Sequence, residues 1–205
     1  MSSRALQDFE TRLKDVQQLI DAHEALTRLR RAEGALQSGG QQLSNVATVV
    51  QHLVTDPGRG RRKEVHALNN AAIALLSGHL QGYLVDLFEE SANALFVGPV
   101  QNVNAITATT KTRGNPNPQN IKNMFGSLGF EDIFQGVSWQ KMSTPALKKK
   151  LQDFNTLRNR IVHGKDERVR KQVVVNYLSV WRNFAIRLDA NLRSRTRDVT
   201  GAYPW

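Results

Sequence analysis

The chain has 205 residues, of which 40% are hydrophobic and none is cysteine, and its formal net charge is +10. This length suits one domain with a helical extension, and no apolar run approaches the roughly 20 residues that span a bilayer. The lack of cysteine excludes disulfides, thiolate catalysis and cysteine-ligated zinc. Because the sequence also opens without the apolar block of a signal peptide, we expect a cytoplasmic protein with no membrane partner. The positive charge favours a polyanionic partner, and a solvated basic surface is the alternative.

The first half of the sequence contains three segments with the apolar spacing of helices. Residues 6–38 carry a narrow apolar stripe, which predicts a packing helix: Phe9, Leu13, Val16 and Ile20. A second helix is predicted at 41–54, before a basic loop at 56–62. The third, at about 64–95, would be roughly 48 Å long at 1.5 Å per residue. Gly78 and Gly82 lie four residues apart on it, so we expect another helix to approach closely there, with chance placement as the alternative.

The second half begins with a loop at 98–118, which is rich in proline and glycine. Short helices are predicted at 119–125 and 131–134. A longer helix at about 144–163 has Pro145 in its first turn and Gly164 as its stop, and the last helix covers about 166–193.

No segment shows the alternation of apolar and polar residues that is typical of a β-strand. We therefore expect an all-α helical bundle with a long central helix and an N-terminal helical extension. The predicted division is 1–55 for the N-terminal helices that pack on the bundle, 56–195 for the helical domain and 196–205 for a C-terminal tail.

The segment Leu-Arg-Asn-Arg-Ile-Val-His-Gly at 157–164 carries the strongest functional pattern. Histidine moves protons near neutral pH, and a guanidinium holds phosphate. The spacing of Arg158 and His163 is weak evidence alone, because Arg61 and His66 repeat it in a basic loop. Arg158, however, follows an apolar helical face: Leu147, Leu151, Phe154 and Leu157. Five helical residues rotate by about 140° beyond a full turn, so Arg158 and His163 converge only if the helix frays or the arginine bends around.

This segment resembles the signature of the HEPN superfamily of helical RNases, in which an arginine and a polar residue precede a histidine. Two further segments resemble the bacterial RiboL-PSP-HEPN subgroup or its MAE-28990-like neighbours. They are Ala-Leu-Leu-Ser-Gly-His-Leu-Gln-Gly-Tyr-Leu-Val-Asp-Leu at 74–87 and the stretch from Gly-Asn-Pro-Asn-Pro-Gln-Asn-Ile at 114–121 to Leu-Gly-Phe-Glu-Asp-Ile at 128–133. The likeness covers about residues 64–190.

The resemblance implies a homodimer that brings two signatures into one cleft. It also implies metal-independent endoribonuclease activity without a cofactor, often within toxin–antitoxin or anti-phage defence systems that supply a partner protein. Arg158, Asn159 and His163 match the catalytic signature. Related sequences often carry glutamate before Gly-Tyr, where this chain has Gln81, and that departure implies reduced activity if the carboxylate serves the site.

The chemistry of these residues fits RNA, whose own 2′-hydroxyl is the nucleophile. His163 would serve as general base or acid, Arg158 would hold the phosphate, and Asn159 would orient either group. The neighbouring basic residues are candidates for contacts with the RNA backbone: Arg160, Lys165, Arg168, Arg170 and Lys171. Possible supporting residues on the long helix are His79, Gln81 and Tyr83. The alternatives are a HEPN module that binds RNA or a protein without cutting it, and a structural helical adaptor.

Overall fold

The computed structural model describes residues 1–38, 61–96 and 115–205. Within these ranges the chain forms helices and no β-strand, with one isolated bridge between Trp139 and Met142, so the predicted all-α class is confirmed. The helices are α1 (Arg4–Ser38), α2 (Arg61–Leu95), α3 (Pro118–Gly126), α4 (Thr144–Val162) and α5 (Lys171–Thr200). The helix predicted at 41–54 lies outside the described residues, as does most of the loop predicted at 98–118.

Two helix predictions in the second half of the chain were wrong. Residues 131–136 form turns instead of a helix, with the Asp132 carboxylate accepting from the Phe134 N–H at 3.1 Å. The last helix starts at Lys171 instead of about 166, and it ends at Thr200 instead of 193. Gly201, at a φ of 78°, closes it in the left-handed conformation that favours glycine. The division into 1–55, 56–195 and 196–205 stays a prediction, although its second boundary lies inside α5.

The core lies where α1, α2 and α5 pack together, with α4 closing one side. The ring of Phe9 on α1 lies 5.0 Å from that of Tyr83 on α2. The Tyr83 hydroxyl donates to the Ala185 carbonyl of α5 at 2.8 Å. Trp181 of α5 is fully buried, 5.1 Å from the ring of Phe154 on α4. Burying each large side chain stabilises the fold by about 1.5–3 kcal/mol, so these contacts position α4 firmly against α5.

Helix α2 accounts for the apolar composition at the centre of the chain. By length and composition alone, the helix at His66–Leu95 could cross a membrane, because it contains an 18-residue window with a mean hydropathy of 1.3. Half of that window is buried inside the fold, and its large apolar side chains pack in the core with those of α1 and α5. A core helix shared by several neighbours is apolar for this reason, and no membrane is needed to explain it.

The start of α1 is docked onto α2 and α5 through carboxylates. The Ser3 hydroxyl caps the helix by accepting from the Leu6 N–H at 3.0 Å. Glu90 of α2 accepts from the N–H groups of Arg4 and Ala5, at 3.1 and 2.6 Å. Asp189 of α5 accepts from the Ser3 N–H at 3.1 Å. Burial raises the pKa of both carboxyl groups, and these hydrogen bonds oppose the rise.

The two glycines of α2 differ in their surroundings. A Cβ at Gly82 would lie 2.9 Å from Nη1 of Arg12. The guanidinium of Arg12 forms an ion pair with Asp86, with 3.1 Å between Nη2 and Oδ2. A Cβ at Gly78 would meet nothing within 4 Å. The space at Gly82 is therefore used by an arginine from the neighbouring α1, whereas Gly78 faces open space among the described residues.

Candidate functional site

Helix α4 carries the signature, and its sequence determines both of its ends. Ser143 caps the start, with its hydroxyl accepting from the Ala146 N–H at 3.4 Å, and Pro145 occupies the first turn. The buried face consists of apolar residues and one amide: Leu147, Leu151, Phe154 and Asn155. The helix ends at Val162, as the position of Gly164 predicts, so Arg158 and Asn159 lie in its last turns and His163 at its C-cap.

The end of α4 is closed by backbone hydrogen bonds. The His163 N–H donates to the Asn159 carbonyl at 2.9 Å, the Gly164 N–H to Ile161 at 3.1 Å, and the Lys165 N–H to Arg160 at 2.9 Å. Together with a φ of 71° at Gly164, these bonds form a Schellman motif. His163 is therefore held on a well-defined backbone while its side chain is exposed to solvent.

Arg158 and Asn159 form a pair that a residue from outside the helix completes. Nη1 of Arg158 donates to Oδ1 of Asn159 at 3.2 Å. The same oxygen accepts from Nδ2 of Asn115 at 2.9 Å. All three side chains are partly buried, so the contacts are shielded from part of the surrounding water. The guanidinium is thus held in place before any ligand arrives.

The structure does not join Arg158 to His163 within one chain. Because the His163 N–H still bonds to the residue four before it, the helical twist persists to the C-cap. The rotation of about 140° between the two positions is therefore retained. Among the described residues, no hydrogen bond or ion pair links their side chains.

The five basic residues assigned to RNA contacts fall into two groups. Arg160 forms an ion pair with Glu167, and Lys171 forms one with Glu24 of α1, which lowers the pKa of that carboxyl. Arg168 lies 3.8 Å from Asp166, and both side chains are largely exposed. In the described part of the chain, the exposed side chains of Lys165 and Arg170 have no hydrogen-bond or ion-pair partner. Lys165, Arg168 and Arg170 are accordingly the accessible positive charges beside His163.

Residues 165–170 connect α4 to α5 as an extended strap, not as the start of a helix, because they bond to α2. Nδ1 of His66 and Nδ2 of Asn69 both donate to the Val169 carbonyl, at 3.2 and 2.9 Å. Nδ2 of Asn70 donates to the Glu167 carbonyl at 2.9 Å. The start of α2 therefore lies next to the strap that follows His163.

The supporting residues predicted on α2 do not lie at this contact. His79 is 13 residues beyond His66, or roughly 20 Å along the helix. Its Nε2 faces Oδ2 of Asp15 at 3.5 Å, and burial lowers its pKa. Tyr83 belongs to the core, where burial raises its pKa well above the ordinary value. Gln81 is partly buried on the same helix. The structure thus gives His79 and Tyr83 packing contacts with α1 and α5.

Sequence reasoning missed Asn115, His66 and Asn69. The Asn-Pro-Asn-Pro run at 115–118 is visible in the sequence, but its pairing with α4 spans 44 residues. The described residues contain no group of three or more histidine, aspartate or glutamate side chains that could hold a metal ion.

Comparison with known proteins finds one similar family for the second half of the chain. Residues 101–192 match the RiboL-PSP-HEPN family model, a range that includes both the Asn-Pro-Asn-Pro run and the signature. No curated protein and no solved structure matches the chain. The segment at 74–87 lies outside the match, and the resemblance to MAE-28990-like proteins stays a prediction. Over residues 101–192, this chain is therefore similar to the RiboL-PSP-HEPN family of the HEPN superfamily.

Proposed function

We propose that this protein is a metal-independent endoribonuclease that leaves a 2′,3′-cyclic phosphate and a 5′-hydroxyl. The similarity of residues 101–192 to the RiboL-PSP-HEPN family supports a nuclease or RNA-related role. The observation that carries the proposal is the arrangement at the end of α4. There, Arg158 is held by Asn159 five residues before an exposed histidine.

Arg158 and Asn159 are suited to hold the scissile phosphate. One N–H of the guanidinium binds Asn159, and the others remain to meet phosphate oxygens. Oδ1 of Asn159 already accepts two hydrogen bonds, so its Nδ2 is the group that can donate to a phosphate oxygen. Donors fixed in advance stabilise the charge that develops on phosphorus without reorganising during the reaction.

His163 supplies the proton transfers. As a base it takes the proton of the 2′-hydroxyl while O2′ bonds to phosphorus and the P–O5′ bond breaks. A protonated histidine gives the departing O5′ its proton. One imidazole performs both transfers poorly in a single step, and Arg158 does not reach His163 within one chain. We therefore propose a homodimer whose two signatures share one cleft.

The surroundings of the site fit a polyanionic substrate. Lys165, Arg168 and Arg170 place accessible positive charge on the strap beside His163. Contacts of this kind weaken as salt concentration rises, because phosphate binding releases counterions. We propose that the enzyme works in a bacterial cytoplasm within a toxin–antitoxin or anti-phage system, where an antitoxin or defence protein is its partner.

The test is cleavage of end-labelled RNA in EDTA by the wild type, His163→Ala and His66→Ala, each checked for folding by circular dichroism. His66 is the matched control because it follows Arg61 at the same spacing. We expect His163→Ala to lose cleavage by at least about 100-fold, as for removal of a general base. His66→Ala loses one of the two side-chain hydrogen bonds to the Val169 carbonyl, so it should lower the rate far less than His163→Ala does. Equal cutting by His163→Ala would overturn the assignment of the site.

A binding module without catalysis is the second candidate, favoured by the lack of contact between Arg158 and His163 in one chain. The pair of Arg158 and Asn159 is sufficient to hold a phosphate without cutting it. Intact RNA that binds to the folded wild type in a salt-sensitive manner would support this candidate. Normal oligomerisation with no RNA affinity would favour a structural adaptor.

A further inference from the structure

The turn at residues 115–118 reaches α4 through side-chain amides. Nδ2 of Asn155 donates to the Pro116 carbonyl at 2.9 Å, from a side chain that is only 3% exposed. Nδ2 of Asn120 donates to the Asn115 carbonyl at 2.9 Å. Oδ1 of Asn117 caps α3 by accepting from the Asn120 N–H at 2.8 Å. The backbone of the turn is therefore fixed from both α3 and α4.

These contacts leave the side chain of Asn115 directed at Asn159. The chemistry of arginine determines how the amides are oriented, because a guanidinium donates and never accepts. The atom of Asn159 that faces Arg158 must therefore be its oxygen. The atom of Asn115 that faces the same oxygen must then be its Nδ2 nitrogen, as the 2.9 Å contact has it.

We propose that Asn115 is a positioning residue for Arg158, acting through the amide of Asn159. This inference rests on the proposed function, and it adds to the site a residue from outside α4. The hydrogen bond from Asn115 keeps Oδ1 of Asn159 beside the guanidinium and turns its Nδ2 away from it. The arginine and the amide N–H₂ then present their donors together.

Without Asn115, the Asn159 amide has one anchor fewer and can rotate about its last bond. A rotated amide places N–H₂ against the guanidinium, where two donors face each other. An aspartate at 115 would cause the same conflict, since a carboxylate has no N–H to offer Oδ1 of Asn159. Because the proposal gives Asn115 no contact with the substrate, its effect on cleavage should depend entirely on Asn159.

The cleavage test compares Asn115→Ala, Asn159→Ala, the double variant and Asn123→Ala in single-turnover assays. Asn123 is the matched control, an exposed asparagine on α3 that pairs with Gln119 at 2.7 Å. We expect Asn115→Ala to lower the rate about tenfold, the effect of one hydrogen bond to a positioned group. In the Asn159→Ala background it should add less than about twofold, since the intermediary is gone. Asn123→Ala should leave the rate unchanged.

A second readout does not depend on cleavage. The side-chain ¹⁵N–¹H signal of Arg158, assigned with Arg158→Lys, should shift or broaden in Asn115→Ala and in Asn115→Asp. The aspartate variant keeps the size of the side chain, so it separates lost hydrogen bonding from a collapsed turn. An unchanged arginine signal in both variants would overturn the inference. The inference would also be overturned if Asn115→Ala lowered the cleavage rate equally in the wild type and in the Asn159→Ala background. If the wild type does not cut RNA, the proposed function fails while the arginine signal still tests Asn115.

Discussion

The start of α1 and the end of α4 are both helix termini that receive polar side chains from other elements. They differ in how many of their hydrogen-bonding groups remain free to bind a ligand. At the start of α1, Ser3, Glu90 and Asp189 direct their hydrogen bonds at the helix backbone. Ser3 is fully buried, and Asp189 is 4% exposed. At the end of α4, the arginine keeps free donors and the histidine is exposed. The first terminus stabilises the fold, and the second has groups left for a ligand.

Removal of the guanidinium should give the largest effect at the α4 terminus. We expect Arg158→Ala to lower RNA cleavage by on the order of 10²–10³-fold, as for loss of a donor to developing charge. The melting temperature should stay close to that of the wild type, because Arg158 bonds only to Asn159 among the described side chains. Single-turnover cleavage and thermal unfolding measure the two quantities.

The control for this variant is Arg168→Ala, which removes an exposed arginine of the neighbouring strap. It should change cleavage far less than Arg158→Ala does. An equal loss in both variants would indicate that general positive charge, and not the positioned guanidinium, supports the reaction.

Removal of the cap at the α1 terminus should affect stability and leave cleavage unchanged. Ser3→Ala loses the hydrogen bond to the Leu6 N–H, which should cost about 1 kcal/mol in the free energy of unfolding. Urea denaturation measures this cost, and cleavage assays test the site. A large loss of activity in a folded Ser3→Ala protein would contradict the separation of the two termini.

The smallest effect should be a change in how stability depends on pH. Burial raises the pKa of Asp189 in the folded protein, so the native state binds this proton more tightly than the unfolded chain does. Its contribution to stability is present below the ordinary pKa and is lost as pH rises through the raised value. Asp189→Asn keeps an oxygen for the Ser3 N–H and lacks this titration.

Urea denaturation from about pH 3 to pH 7 provides the measurement. The free energy of unfolding of Asp189→Asn should rise relative to that of the wild type as pH increases. A constant difference across this range would show that Asp189 does not titrate differently on folding.

The contrast between α4 and α5 shows what the sequence can predict. The ends of α4 depend on neighbours in the chain, Ser143 before it and Gly164 after it, and both were predicted closely. The start of α5 depends on contacts between the strap and α2, about 100 residues away, so its apolar spacing alone predicted a helix too early. The signature residues were likewise visible in the sequence. The contact of Asn115 with α4 was not, because this hydrogen bond joins residues 44 positions apart and forms only on folding.

The anchoring of the strap has a consequence for local opening and amide hydrogen exchange. Two side chains of α2 hold the Val169 carbonyl, and the closing bonds of α4 hold the N–H groups of residues 163–165. Fraying of the helix end must break these bonds together, whereas an unanchored terminus opens one residue at a time. The N–H groups around the histidine should therefore exchange slowly and in step with one another. We therefore expect a rigid backbone under the candidate site, with the motion there confined to the side chains.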